Sequence, residues 1–154
     1  MPVFRCSVSL AAPLDAVFSF FSSAGNLEVL TPPWLRFRVL TEGEILMTRG
    51  TQIDYRLRLH GVPLRWRSVI TAWEPPHRFV DEQVIGPYRS WIHEHRFGVE
   101  ERAGRGPVVI ASDEVRYRAP GGWLIDRFLV APDLERIFRY RTARLRERFG
   151  SPDD

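Results

Sequence analysis

The sequence predicts an α+β domain, a curved antiparallel sheet of about seven strands wrapped around a long C-terminal helix, with two short helices after the first strand. Three observations carry that expectation. Residues 35 to 118 read as strand after strand with turn residues between them, a spacing that implies an antiparallel meander. A period-two strand at residues 3 to 10 is followed at once by a helical pattern. The last segment, PDLERIFRYRTARLRERF, sets apolar side chains at helical spacing among arginines.

Each element follows from local chemistry. In residues 3 to 10, Phe4, Cys6, Val8 and Leu10 share one face. AAPLDAVFSFFSSAGN reads as a helix: Pro13 suits the first turn, Val17, Phe18 and Phe21 share a face, and Gly25 can end it. NLEVLTPPW gives a second short helical turn, stopped by Pro32 and Pro33. Strands are expected over 35 to 41, 50 to 60, 63 to 74, 77 to 85, 90 to 101 and 107 to 118. A helix is expected from about 132 to 149, where Leu134, Ile137, Phe138, Leu145 and Phe149 form the apolar stripe. GGWLIDRFLVAP, just before it, is apolar nearly all round and reads as an extra helical turn or a hydrophobic flap, separated from the helix by Pro132.

The 154 residues suit one domain, 1–154, and 44% hydrophobic with 27% charged residues is the composition of soluble globular proteins. MPVFRCSVSL fits no signal peptide, and no apolar run reaches the length of a membrane span. Cys6 is the only cysteine, which excludes an intramolecular disulfide and multi-cysteine zinc sites. A cytoplasmic location is the expectation. All 22 basic residues are arginines, and the net charge of +3 permits anionic partners without demanding them.

NLEVLTPPWLRFRV, FVDEQVIGPYRSWIHEHRF, SDEVRYRAP and IFRYR, in this order, resemble the START-like superfamily, also called SRPBCC, of helix-grip ligand-binding proteins. The resemblance covers nearly the whole chain and comes closest to bacterial members of the polyketide cyclase/dehydrase kind. It implies a helix-grip fold around a cavity. It does not fix activity, because the superfamily spans lipid carriers, quinone-binding proteins, cyclases, oxygenase domains and chaperone activators.

The stretch WIHEHRF concentrates the chemistry. Strand alternation puts Trp91, His93, His95, Phe97 and Val99 on one face, which their apolar majority turns inward. A turn centred on Gly104 pairs Trp91 with Tyr117, His93 with Val115, His95 with Asp113, Phe97 with Ala111 and Val99 with Val109. The preceding hairpin brings Asp81 opposite His93 or His95, with Phe79 and Gln83 on the same face. Asp81, Gln83, His93, His95 and Asp113 thus form a polar island among Phe79, Trp91, Phe97 and Tyr117.

Three readings of that island are open. The histidines and aspartates satisfy one another; or they form the polar floor of a ligand cavity; or two histidines and a carboxylate hold a metal. Against a metal, the match to a cupin motif from Gly86 to Glu100 has its glycine one residue too far, Glu100 on the opposite face, and no later histidine. No metal and no cofactor are expected. A histidine beside a carboxylate could move protons on a bound ketone, with His93, His95, Asp81 and Asp113 as the catalytic candidates.

Elsewhere, a two-residue turn at Gly61 and Val62 pairs Leu59 with Leu64, Leu57 with Trp66, Tyr55 with Ser68 and Ile53 with Ile70 on an inward face. The outer face carries Arg56, Arg58, Arg65 and Arg67. Asp54 interrupts that stripe and no aromatic alternates with it, so it reads as a solvated face and no nucleic acid is expected. The arginines of the last helix are read likewise. The expected partner is a hydrophobic or aromatic small molecule, in a cavity lined by Tyr55, Leu57, Trp66, Phe79, Trp91, His93, His95, Phe97, Tyr117 and Phe138, with WLIDRFLV as a lid. Cyclase or dehydrase activity and a chaperone-activator-like interaction role are the alternatives. Oligomeric state is left open.

Overall fold

A computed structural model describes residues 1–104 and 106–152. The chain runs β1 (Val3–Leu10), α1 (Leu14–Phe21), α2 (Leu27–Leu30), β2 (Arg38–Val39), β3 (Gln52–Leu59), β4 (Val62–Glu74), β5 (Arg78–Ile85), β6 (Ser90–Arg102), β7 (Gly106–Arg118), α3 (Gly122–Ile125) and α4 (Ala131–Phe149). One seven-stranded antiparallel sheet results, in the order β1-β7-β6-β5-β4-β3-β2. Register shifts interrupt the β4–β5 ladder between Arg67 and Ser68 and between Ile70 and Ala72. Irregularities of this kind bend a strand and raise its twist, which helps the sheet curl over α4.

The expected strand at 35 to 41 shortens to Arg38–Val39. Pro33 starts a 3-10 turn over Pro33–Leu35, and Arg36 closes it in the left-handed region, at φ 46°. That conformation ends the turn and delays extended backbone by two residues. Pro132 does not separate two pieces. Helical backbone is continuous from Gly122 to Phe149, through a π turn at Asp126–Val130. A proline in an α-helix leaves the carbonyl four residues earlier without its donor, and the wider π turn just before Pro132 absorbs that mismatch.

The β6–β7 register is the one expected, from Trp91 opposite Tyr117 to Val99 opposite Val109. In β3–β4 the register differs by two residues: Tyr55 faces Trp66, Leu57 faces Leu64 and Ile53 faces Ser68. The turn residues are His60 and Gly61, both at positive φ (50° and 80°), the geometry of a two-residue primed hairpin turn. Because the slip is even, every side chain keeps its predicted face.

The core closes one end of the sheet. Val17, Phe18, Phe20 and Phe21 of α1 pack with Phe79, Phe97, Val109 and Leu145. Cys6 lies between β1 and α4, its Sγ 3.7 Å from Thr142 Oγ1.

Candidate functional site

Between the sheet and the first half of α4 lies a cavity of about 190 Å³. Strand alternation supplies one wall, with Ile53, Tyr55, Leu57 and Leu59 from β3, Trp66, Ser68 and Ile70 from β4, Phe79 and Asp81 from β5, and Trp91, His93 and His95 from β6. α4 supplies Asp133, Leu134, Ile137, Phe138 and Arg141, and Phe21, Leu27, Leu35 and Phe37 close the side. Of the residues expected at the site, Tyr55, Leu57, Trp66, Phe79, Asp81, Trp91, His93, His95 and Phe138 lie on this wall.

Four expected residues are not on it. Phe97 is buried in the phenylalanine cluster at the closed end. The Tyr117 hydroxyl bonds Asp126 at the π turn, and its ring packs beside Trp91 and Tyr88. Gln83 leaves the polar island: its amide donates to the Tyr88 carbonyl at 2.7 Å and accepts from the Tyr88 N–H at 3.1 Å, bracing the β5–β6 loop. Asp113 sits behind the histidines. The segment expected as a lid contributes nothing to the cavity wall, and its Trp123 and Phe128 are 69% and 66% exposed.

The polar cluster is tightly made. His93 Nε2 and Asp113 Oδ1 are 2.8 Å apart, as are His95 Nε2 and Asp81 Oδ2. Asp81 stands directly opposite His93 in the ladder, yet its carboxylate reaches diagonally to His95. The imidazoles stack with centroids 3.7 Å apart, and Phe79 stacks on His95 at 4.0 Å. Arg141, from the helix, completes the group: its Nη2 donates to Asp113 Oδ1 at 3.3 Å and lies 3.4 Å from His95 Nδ1. Its guanidinium is held between Phe21 and Phe138, 5.0 and 5.5 Å from the ring centroids.

Sequence reading missed Arg141, which it placed on a solvated face. The signal was present: Leu134, Phe138, Arg141 and Leu145 are spaced four, three and four, the stripe that faces a core, and all four are buried. An arginine on that stripe needs a buried counter-charge, which Asp113 supplies.

Burial opposes ionisation of Asp113, but the Arg141 charge and the bonds to both histidines hold its carboxyl well below the ordinary value. Asp81 is likewise lowered against its burial, chiefly by the His95 bond and the charges of the two histidines. Burial, and then the nearby His95, push His93 down. Burial also opposes charging of His95, but its contacts with Asp113 and Asp81 outweigh that and raise it. The two stacked histidines are thereby driven apart: His93 favours the neutral ring and His95 the cation.

Asp81, His93 and His95 offer ligand atoms within 4.8 Å of one another, a donor set some metals accept. Each Nε2 is already bonded to a carboxylate, and Arg141 places a fixed positive charge beside the spot, so a divalent cation fits poorly. Arg141 Nε is buried without a partner among the described residues. Beside the cavity wall, His60 Nε2 at the β3–β4 turn meets Asp133 Oδ2 of α4 at 2.7 Å. The arginine stripe lies outside, with Arg56 opposite Arg65, and Arg67 paired to Asp54 at 2.8 Å.

A family model described as "Polyketide cyclase / dehydrase and lipid transport" matches residues 1–150. No curated protein matches the chain. Solved structures with a similar fold include a Chromobacterium violaceum protein at 13% identity, covering 96% of each chain with a TM-score of 0.71. A Thermus thermophilus protein is 20% identical, covers 96% of each chain and scores 0.64. A START superfamily protein from Mycobacterium smegmatis is 11% identical, covers 94% of this chain and 97% of that one, and scores 0.61.

Proposed function

Since the chain belongs to the polyketide cyclase/dehydrase and lipid transport family, we propose that it binds a hydrophobic or aromatic small molecule in the cavity beneath α4, for carriage rather than turnover. The observation that carries this reading is an aromatic-walled cavity of about 190 Å³ with one polar cluster on its wall. A dry apolar cavity of about 150 Å³ is enough to admit benzene, so one or two fused rings match the space as it stands. A long acyl chain would require the walls to part, whereas the ring of a quinone or polyketide-like molecule matches the space as it stands.

The cluster supports an orienting role. Its carboxylates are already engaged by the two histidines and Arg141, while Arg141 Nε, buried without a partner among the described residues, is a spare donor. A carbonyl or hydroxyl oxygen reaching it would recover part of the roughly 1–3 kcal/mol that a buried unsatisfied group costs. Native mass spectrometry of protein purified from its own host tests the reading. A mass increment of a small organic molecule is expected; its absence, together with no uptake of an environment-sensitive aromatic probe, would overturn it.

A second reading, a cyclase or dehydrase acting by proton transfer, draws on the opposed protonation tendencies of His93 and His95 on the cavity wall. If any turnover is found, His93→Gln and His95→Gln should abolish it, and unchanged rates remove both from the mechanism. The interaction-module reading, which expected a collapsed cavity, draws less support from the open space beneath α4.

A further inference from the structure

We propose a second binding surface: the end of the molecule opposite the phenylalanine cluster docks on an anionic lipid bilayer. β1, β4 and β6 begin at this end and β3, β5 and β7 finish there, as the pairings of Val3 with Arg116, Leu59 with Val62 and Ser90 with Arg118 require. Most of the large apolar side chains exposed among the described residues lie at this end. Val62, Val84, Trp123, Leu124 and Phe128 are each more than half exposed, from 52% to 69%.

The α3 and π-turn segment is the centre of the patch. It is held from beneath by Val130 in the core and by the Asp126–Tyr117 bond, which leaves Trp123 and Phe128 facing water. Exposed apolar surface concentrated in this way marks an interaction site. Three arginines flank it. Arg118 and Arg127 are exposed and make no ion pair among the described residues, and neither does Arg89, whose backbone N–H bonds the Arg118 carbonyl. Of the acids nearby, Asp126 is engaged by Tyr117 and Asp133 by His60, and Glu135 is exposed further along α4.

That charge pattern selects the occupant. A two-fold dimer would press the same patch against itself and bring arginines toward arginines. Lipid phosphates meet them with opposite charge, while tryptophan and phenylalanine settle at the headgroup level. No helix among the described residues is long and apolar enough to cross a membrane, so the contact is one of lying on the surface. Leu59, Tyr88 and Asp133 of the cavity wall belong to the same end, which brings this part of the cavity to the lipid surface.

Co-sedimentation of the full chain with phosphatidylcholine vesicles, with and without phosphatidylglycerol, tests the proposal. Binding to the anionic vesicles is expected, weakening as salt rises. The Trp123→Ser/Phe128→Ser variant should partition at least about tenfold more weakly, and Arg118→Glu/Arg127→Glu should lose the anionic preference, both with unchanged thermal unfolding. No vesicle binding, or binding indifferent to Trp123 and Phe128, overturns the proposal. So does a concentration-dependent dimer in sedimentation velocity that the Trp123/Phe128 variant abolishes. Probe uptake in vesicle-free solution, measured on the same variants, distinguishes this surface from the cavity: loss of docking with uptake intact leaves the cavity's role standing, and docking without uptake leaves the surface standing.

Discussion

Arg141 and Asp113 carry the largest single-residue consequences. Each is buried, and removing one partner of a buried charged pair leaves the other uncompensated, at about 3–5 kcal/mol. Arg141→Met should therefore lower the stability measured by urea unfolding by roughly that amount. It should also raise the His95 and Asp113 titrations followed by NMR, because the cation that favours the ionised carboxylate and opposes a charged imidazole is gone. An unfolding curve within error of the wild type would mean that Arg141 swings into water. The sequence concealed this residue because arginine is usually read by its charge, whereas here its position on the helical stripe decided its fate.

At the scale of elements, the β3–β4 hairpin is tied to α4 through one surface contact, His60 with Asp133. His60 is 54% exposed in its side chain, so the pair adds about 0–1 kcal/mol to stability, but it ties two elements that both line the cavity. His60→Asn keeps a residue that tolerates the left-handed turn while removing the tie. The expected outcome is a melting temperature close to that of the wild type with faster probe entry and release in stopped-flow fluorescence. Equal rates would mean that access lies elsewhere. The same hairpin shows what alternation can and cannot determine. Faces follow from the period of two, so Tyr55, Leu57 and Trp66 could be placed inward; the register depends on a turn with a histidine at positive φ, which no glycine count would reveal. β2 is shorter than its pattern for a related reason, because Pro33 imposes its own turn before extended backbone can begin.

For the molecule as a whole, the buried cluster sets how stability follows pH. Asp113 and Asp81 are lowered, so their contribution is present above their ordinary range near 4 and is lost as pH falls through their folded values. His95 is raised, so its contribution is complete below about 6.5 and is lost as pH rises through its folded value. His93 has the opposite sign: its preference for the neutral ring costs stability as pH falls below about 6.5. Relative to His95→Gln, the wild type should therefore lose stability as pH rises above about 6.5. Denaturant unfolding from pH 6 to about 9 checks this, and parallel profiles would argue that His95 stays neutral throughout.

The architecture was legible because its signals are periodic and long: an eight-residue alternation in β1, a heptad-like stripe in α4, and a short β6–β7 turn that fixed the histidine strand against Asp113. The composition of the site was only half legible. Gln83 shares the inward face but spends its amide on the Tyr88 backbone, and Arg141 arrives from an element that no strand pattern can register.

Cys6 offers a way to watch the molecule breathe. The sequence has a single thiol, and it is lodged at the seam between β1 and α4, against Thr142. Its rate of modification by a thiol reagent therefore clocks how often the helix lifts from the sheet, a motion that the tether from Arg141 to Asp113 resists from the middle of α4. A ligand lodged beneath the helix should slow that clock, and a weakened tether should quicken it.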